Sequence, residues 1–325
     1  MISPKIDDFI SKGAPIDELI FKYYLNFIIY FSNRFSPLII FISVIFFTSK
    51  MAQNTEIIPI LNSGRNFIRF LRPYAIAATI LTVFSLFQNH WFVPKATKER
   101  LEFEDAYYRV SFATSNKYYA VSEDEVVYFN WHESAYANLR EFRSEKWDGL
   151  NLVSTLYSPR ADFDTIEKDW SLMMSEIRYV GDTNDRIIKA GRIDTTFNYV
   201  ISDFGYRSEI YESMTYSQLK DFMVQEAKMG NPTVYAELEM HQRTAFPFAT
   251  YILTLIGVAV SSKKTRGGTG VHIAIGLFFA LIYIFSMKVS TVSATNAGVN
   301  PLIATWIPNI IFLIIGIILF RRTQT

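Results

Sequence analysis

A helix needs about 20 apolar residues to cross a bilayer, and this chain carries five runs close to that length in an uneven order. Two come first, roughly Tyr23–Phe47 and Tyr74–Phe92. About 150 residues of more polar chain follow, and then three more runs, roughly Phe246–Val260, Val271–Met287 and Leu302–Phe320. Repeated runs of this kind leave a polytopic α-helical membrane protein as the only sensible class. Two spans before the insert and three after it are lopsided, and a chain lacking one span at its start is the simplest explanation.

Half of the 325 residues are hydrophobic, yet 19% are charged. Both values are met if the charges sit in one extramembrane domain and in short loops. The net charge of +1 gives no electrostatic case for a nucleic-acid partner. With no cysteine, disulfides, thiolate metal sites and thiol catalysis are excluded. Orientation follows from the short loops, because Lys and Arg concentrate on the cytoplasmic side. Lys50, Arg65, Arg69 and Arg72 follow the first span, Lys263, Lys264 and Arg266 follow the third, and Arg321 and Arg322 close the chain. Ser290–Pro301 carries no charge. The basic loops and the C-terminus therefore read as cytoplasmic, and the polar insert reads as lying on the other side, with the N-terminus.

Three regions follow: 1–93 with two spans and a cytoplasmic segment, 94–243 as the insert, and 244–325 with three spans. The insert reads mostly as strand. YYRVSFA, KYYAV, EVVYFNW, AYANLREF, WDGLNLVSTLY, DWSLMMSEIRYV, IIKAGRIDTTFNYVI and FGYRSEIY are short, aromatic and partly alternating. Turn signals such as SED and GDTND separate them, which argues a sandwich, jelly roll or open barrel. Residues 215–229 change to a helical period, with Gly230 as a C-cap. In the membrane part, Pro37 is expected to kink the first span, and Pro94 to end the second.

Catalytic motifs do not emerge. His90, His132, His241 and His272 lack metal-ligand spacing, and GGTG at 267–270 is followed by Val-His and not Lys-Ser/Thr, so it is no P-loop. No metal and no cofactor are expected in the chain, and any ATP must be consumed by a partner. The most specific stretch is FFTSKMAQNTEIIPILNSGRNFIRFLRPY at 46–74. It places Glu56 before an apolar set (Ile57, Ile58, Ile60, Leu61), then the breaker Gly64, then a basic-apolar helix opened by Arg65. Such a segment suits an anionic membrane surface. It also suits a groove on an ATPase, with Glu56 paired to a basic residue there.

This stretch resembles the coupling region of the LptF/LptG permease family, which exports lipopolysaccharide. RTAFPFATYILTLIGVAVSSKKTRGG resembles that family's R-x-x-x-P span and basic turn, and GVNPLIATWIPNIIFLIIG resembles its final helix. The resemblance covers nearly the whole chain. It implies a periplasmic β-jellyroll between helix groups and a multi-pass protein of a Gram-negative inner membrane. It further implies a second permease of the same family, a cytoplasmic ATPase dimer below, and periplasmic jellyroll bridge proteins that receive the lipid. Family members have six spans, and the one without a counterpart here is the first. Pro59 falls inside the expected coupling helix, where it must begin or break a turn.

By this topology Arg34 and Lys288 lie near the outer face, where the charge bias disfavours them. They either snorkel to headgroups or contact the phosphorylated sugars of the transported lipid. Two other readings of the whole chain stand beside the exporter: another mechanotransmission permease driven by ATP, and a non-transporting sensor or scaffold that reads a ligand with its β domain.

Overall fold

The computed structural model describes residues 3–62, 67–108, 113–133, 137–181, 184–204, 210–228, 230–265 and 267–324. Five helices in it are long and apolar enough to cross a membrane: Ile16–Gln53, Phe67–Tyr107, Val234–Ser261, Gly268–Ala297 and Pro301–Thr323. They are called the first to fifth long helices below. A six-stranded antiparallel sheet lies between the second and third in the chain. The architecture is thus a polytopic helical protein with an inserted β domain, as the hydropathy plan indicates. Two compact units divide the chain, one holding the sheet with Leu101–Ile210 and the other holding Ile20–Arg100, Tyr211–Leu219 and Val234–Thr325.

The third long helix is the hub of the helical unit. It packs against the other four, and 67% of its apolar stretch is buried, against 22% to 33% for the others. Its Ala249, Ile252, Leu253 and Ile256 meet Phe41 and Ile45 of the first long helix, Ala280 and Tyr283 of the fourth and Phe312 of the fifth. Two glycines set how closely the first long helix lies. A Cβ on Gly257 would stand 3.1 Å from Val44 Cγ1, and one on Gly276 would stand 2.1 Å from Ile45 Cδ1.

Five prolines sit inside these helices: Pro37, Pro73, Pro94, Pro247 and Pro308. Each lacks the N–H that would bond the carbonyl four residues back, and in hydrocarbon a carbonyl left bare is expensive. Three of the five released carbonyls have a side-chain donor. Ser36 Oγ donates to Asn33 O at 2.9 Å, beside Pro37. Asn89 Nδ2 donates to Arg243 O at 3.4 Å, below Pro247. Ser290 Oγ donates to Ala304 O, below Pro308. The first long helix accordingly continues through Pro37 to Gln53. The second runs on past the expected stop at Pro94 to Tyr107, through a wide π turn at Gln88–Phe92.

The β unit is a meander. Strands β1 (Ala113–Ala120), β2 (Glu125–Glu133), β3 (Asn138–Asp148), β4 (Asn151–Phe163), β5 (Trp170–Tyr179) and β6 (Arg186–Thr195) pair in sequence order. One face carries the core: Val127, Phe129, Leu139, Phe142, Ala161, Phe163, Trp170 and Leu172, with Tyr199 and Phe204 packed on it. Most of the two outermost strand expectations, residues 109–112 and 205–209, lies outside the described residues; of their described ends, Tyr107 closes a helix, Ala113 opens β1 and Ile210–Ser213 is a short helix.

The sheet carries a crease. By the flanking registers Asn116, Asn130, Glu141, Pro159, Met174 and Gly191 form one transverse row, and every ladder omits a pair there. Asn116, Glu141 and Met174 in that row have left-handed backbones, with φ of 51°, 50° and 48°. Pro159 removes a donor. Leu139 and Phe142 can then both face the core although three residues apart. A non-glycine residue with left-handed φ is strained by roughly 1 kcal/mol. Glu141→Gly should therefore stabilise the β unit by about 1 kcal/mol, whereas Tyr128→Gly, one strand away, should destabilise it. Protease resistance of the full chain during heating measures both, and the same sign for the two would refute the crease.

Candidate functional site

The first long helix ends in a tightly defined cap. Thr55 N–H bonds Ala52 O at 3.1 Å and Glu56 N–H bonds Met51 O at 2.9 Å. These are the paired bonds of a Schellman motif, which wants a left-handed residue after the cap, usually Gly. Here that residue is Thr55, at φ 61°. A β-branched side chain is poorly suited to that conformation, so the turn is strained where helix Ile57–Asn62 is about to begin. Asn54 Nδ2 reaches Glu56 Oε1 at 3.0 Å, which orients the carboxylate.

Helix Ile57–Asn62 follows directly. Pro59 is its third residue, in the first turn, where a missing N–H removes no helical bond; the proline thus begins the helix and does not break it. Ile57 is buried among Ala52, Phe67, Phe70 and Val258, with Ile60 packed beside it. Ile58 is 51% exposed, and Glu56, Pro59 and Asn62 are exposed too. The apolar set therefore divides, with Ile57 and Ile60 anchoring and Ile58 facing out beside Glu56. The side chain of Leu61, and Gly64 and Arg65 altogether, lie outside the described residues. Beyond them Phe67 opens the second long helix against Phe320 of the fifth, ring centroids 5.2 Å apart.

At the opposite end of these helices a polar cluster has formed that sequence reading did not single out. Arg243 of the third long helix has a side chain only 3% exposed. Its Nε bonds Glu239 Oε1 at 2.7 Å, its Nη1 donates to Met214 O at 2.7 Å, and its Nη2 donates to Tyr211 O at 2.9 Å and Glu212 O at 3.3 Å. One planar fork thus clamps the strap that leads back from the β unit, a task a lysine ammonium cannot perform. Tyr30 of the first long helix donates to Glu212 Oε1 at 3.0 Å. Asn33 bonds Asn89, and Ser85 Oγ donates to Asn33 Oδ1 at 2.9 Å. The signal available in sequence was the pair Asn33 and Asn89, since amides inside apolar spans need partners. Asn309 meets the same need, accepting from Tyr283 at 2.7 Å and donating to Ala245 O at 2.8 Å.

The two cations proposed from sequence are not brought together by any contact. The Arg34 guanidinium lies 5.8 Å from the ring centroid of Phe246 and also acts electrostatically on Glu212. Lys288 is exposed on the fourth long helix. Burial, then the charge of Glu239, pushes the Glu212 carboxyl up from its ordinary 4.5, against the pull of Arg34, the Tyr30 hydrogen bond and Arg100. Its Oε2 is buried with no hydrogen-bond partner among the described residues.

The five long apolar helices and the inserted antiparallel sheet define a polytopic helical membrane protein with a β domain. The family model described as lipopolysaccharide export system permease LptF/LptG matches residues 2–322, and the chain belongs to that family. It is a permease of lipopolysaccharide export at the level the family defines, and its spans fit a multi-pass protein of an inner membrane. No curated protein matches the chain.

A carboxyl whose folded pKa is raised binds its proton more tightly folded than unfolded, so stability falls as pH rises through the interval above 4.5 where Glu212 ionises. Glu212→Gln retains an oxygen for Tyr30 and removes that ionisation. Melting temperatures of the two proteins should converge near about pH 4 and separate in favour of the variant by about pH 8. A constant difference across that range would show that Glu212 does not titrate there.

Proposed function

We propose that the chain is one permease subunit of an ATP-driven lipopolysaccharide exporter. It pairs with a second permease of its family, rests on a cytoplasmic ATPase dimer, and takes lipid from the outer leaflet of the inner membrane. The β unit lies in the periplasm and passes the lipid to a jellyroll bridge. ATP is consumed by the partner, and this chain carries no cofactor. The orientation rests on the basic residues around Lys50, Arg69, Arg72 and Lys263, all near the Gln53 end of the helices.

The observation that carries the reading is the two-faced segment after Gln53. Ile57 and Ile60 anchor it to the long helices, while Glu56, Ile58 and Pro59 are left outward on a strained cap. An outward carboxylate beside an apolar residue fits a groove with a basic rim. A charge pair in such a groove is worth about 2 kcal/mol or more when truncated, or about thirty-fold in dissociation constant. Glu56→Lys should thus lose the ATPase on co-purification from membranes while the permease still inserts, and a compensating acidic substitution on the ATPase should restore part of it. Wild-type association and transport in Glu56→Lys would sink the coupling assignment. Capture of a cytoplasmic ATPase would also support the orientation, because only a Gln53 end facing the cytoplasm can reach it.

Arg34 and Lys288, at the other end, serve the anionic headgroup in this reading. Arg34 is held on Phe246 with its guanidinium exposed, and cations with several donors suit phosphate. Arg34→Asp and Lys288→Asp should each reduce crosslinking of lipid to the permease more than they reduce permease abundance. Equal losses of lipid and of protein would leave both residues as simple headgroup anchors.

A further inference from the structure

The Gln53 end of the first long helix is pinned in a way the coupling reading does not require. His272, four residues into the fourth long helix, is 1% exposed. Its Nδ1 lies 2.7 Å from Ser49 Oγ, and its Nε2 faces Thr265 Oγ1 at 3.5 Å. One turn of the first long helix further on, Gln53 Nε2 donates to Thr269 Oγ1 at 2.8 Å. A Cβ on Gly268 would come within 3.1 Å of Gln53 Nε2. Two polar contacts one turn apart on each helix define a register, which apolar packing alone does not.

We infer that Ser49–His272 and Gln53–Thr269 form a polar latch that joins the base of the coupling segment to the start of the fourth long helix. His272 and Gln53 are positioning residues for energy coupling, and the inference rests on the coupling role proposed for Glu56. Gln53 lies three residues before Glu56, just ahead of the strained cap, so a push on the Glu56 face reaches Gln53 through that one stiff turn. Separating the helices would leave a buried imidazole nitrogen and a buried hydroxyl without partners, which is unfavourable away from water. A little further along, the tip of Ile45 packs over Gly276, where a larger residue would have to turn that methyl aside. The latch and this close contact together prevent the first long helix from sliding or turning against the fourth. Movement imposed by the ATPase is therefore delivered to the fourth long helix as a rigid displacement. It is not absorbed where the coupling segment meets the helices.

The test uses the complete transporter complex in proteoliposomes, with lipid extracted per ATP hydrolysed as the readout. Ser49→Ala and His272→Leu should keep membrane abundance and ATPase co-purification near wild type and lower the lipid yield per ATP several-fold. Ser49→Thr keeps the hydroxyl and should retain the yield. A second measurement does not depend on tolerance of a lost contact. The chain has no cysteine, so Gln53→Cys with Thr269→Cys can be bridged by a short reversible crosslinker without background. The bridged complex should transport as the unbridged one does, because the two ends never part. Transport stopped by the bridge while ATP hydrolysis continues would overturn the latch, and so would a wild-type yield per ATP in Ser49→Ala and His272→Leu. Glu56→Lys run in parallel separates the two ideas. If it loses the ATPase while the latch variants behave as wild type, only the latch is wrong. If it changes nothing, the coupling reading fails and the role of the latch fails with it.

Discussion

Inside hydrocarbon a peptide carbonyl has no water to turn to, and much of the helical unit can be understood as the consequence. A proline inside a spanning helix releases the carbonyl four residues earlier. The chain answers with a hydroxyl or amide placed at that carbonyl, from the same helix at Ser36 and from a neighbouring helix at Asn89 and Ser290. The cross-helix pairs are also packing instructions. Asn89 joins the second long helix to the third at Arg243, and Ser290 joins the fourth to the fifth at Ala304. Between hydrocarbon-facing helices there is little hydrophobic drive to choose one register over another, so these few directional bonds set it.

Arg243 shows how far the logic extends. Its spacing of four from Pro247 is the R-x-x-x-P pattern seen in the sequence, and it has a physical meaning. The backbone carbonyl of Arg243 is the one that Pro247 frees, and Asn89 takes it. The side chain of the same residue binds Glu239 and three strap carbonyls. A single position thus ties the second long helix, the third long helix and the returning strap. Burial of a guanidinium is tolerable because its hydrogen-bonding directions are filled on both sides. Loss of either the proline or the arginine would disturb the same junction from two directions.

The spans, the basic loops and the existence of an all-β insert were legible because each depends on composition over many residues. Details failed where a local cue had two meanings. Pro94 reads as a stop, yet the wide π turn just before it lets the helix run on to Tyr107. Ile210–Ser213, where one expected strand ends, is a short helix held by Arg243. The crease could not be read at all, since Glu141 and Met174 are unremarkable strand residues until the registers align them. In the segment after Gln53 the residues at 56–61 were identifiable as a group. Their division into an anchoring Ile57 and an outward Ile58 depends on where the Schellman cap aims the helix, and Thr55 is an unlikely residue for that cap.

That improbable Thr55 bears on how force would be carried. A glycine at the same position would relax the turn and widen the conformations open to the segment after it. Threonine narrows them, and Asn54 narrows them again by holding the Glu56 carboxylate. A segment that must transmit displacement has to resist bending more than it has to be stable, because any freedom at the joint is motion that the next helix never receives. The strained cap, the register set by Ser49 and Gln53, and the packing of Ile45 over Gly276 all reduce that freedom at one end of the first long helix. Strain maintained at a joint and offset by contacts on either side is what a stiff coupling element requires, and the same backbone placed on a free surface loop would have no reason to retain it.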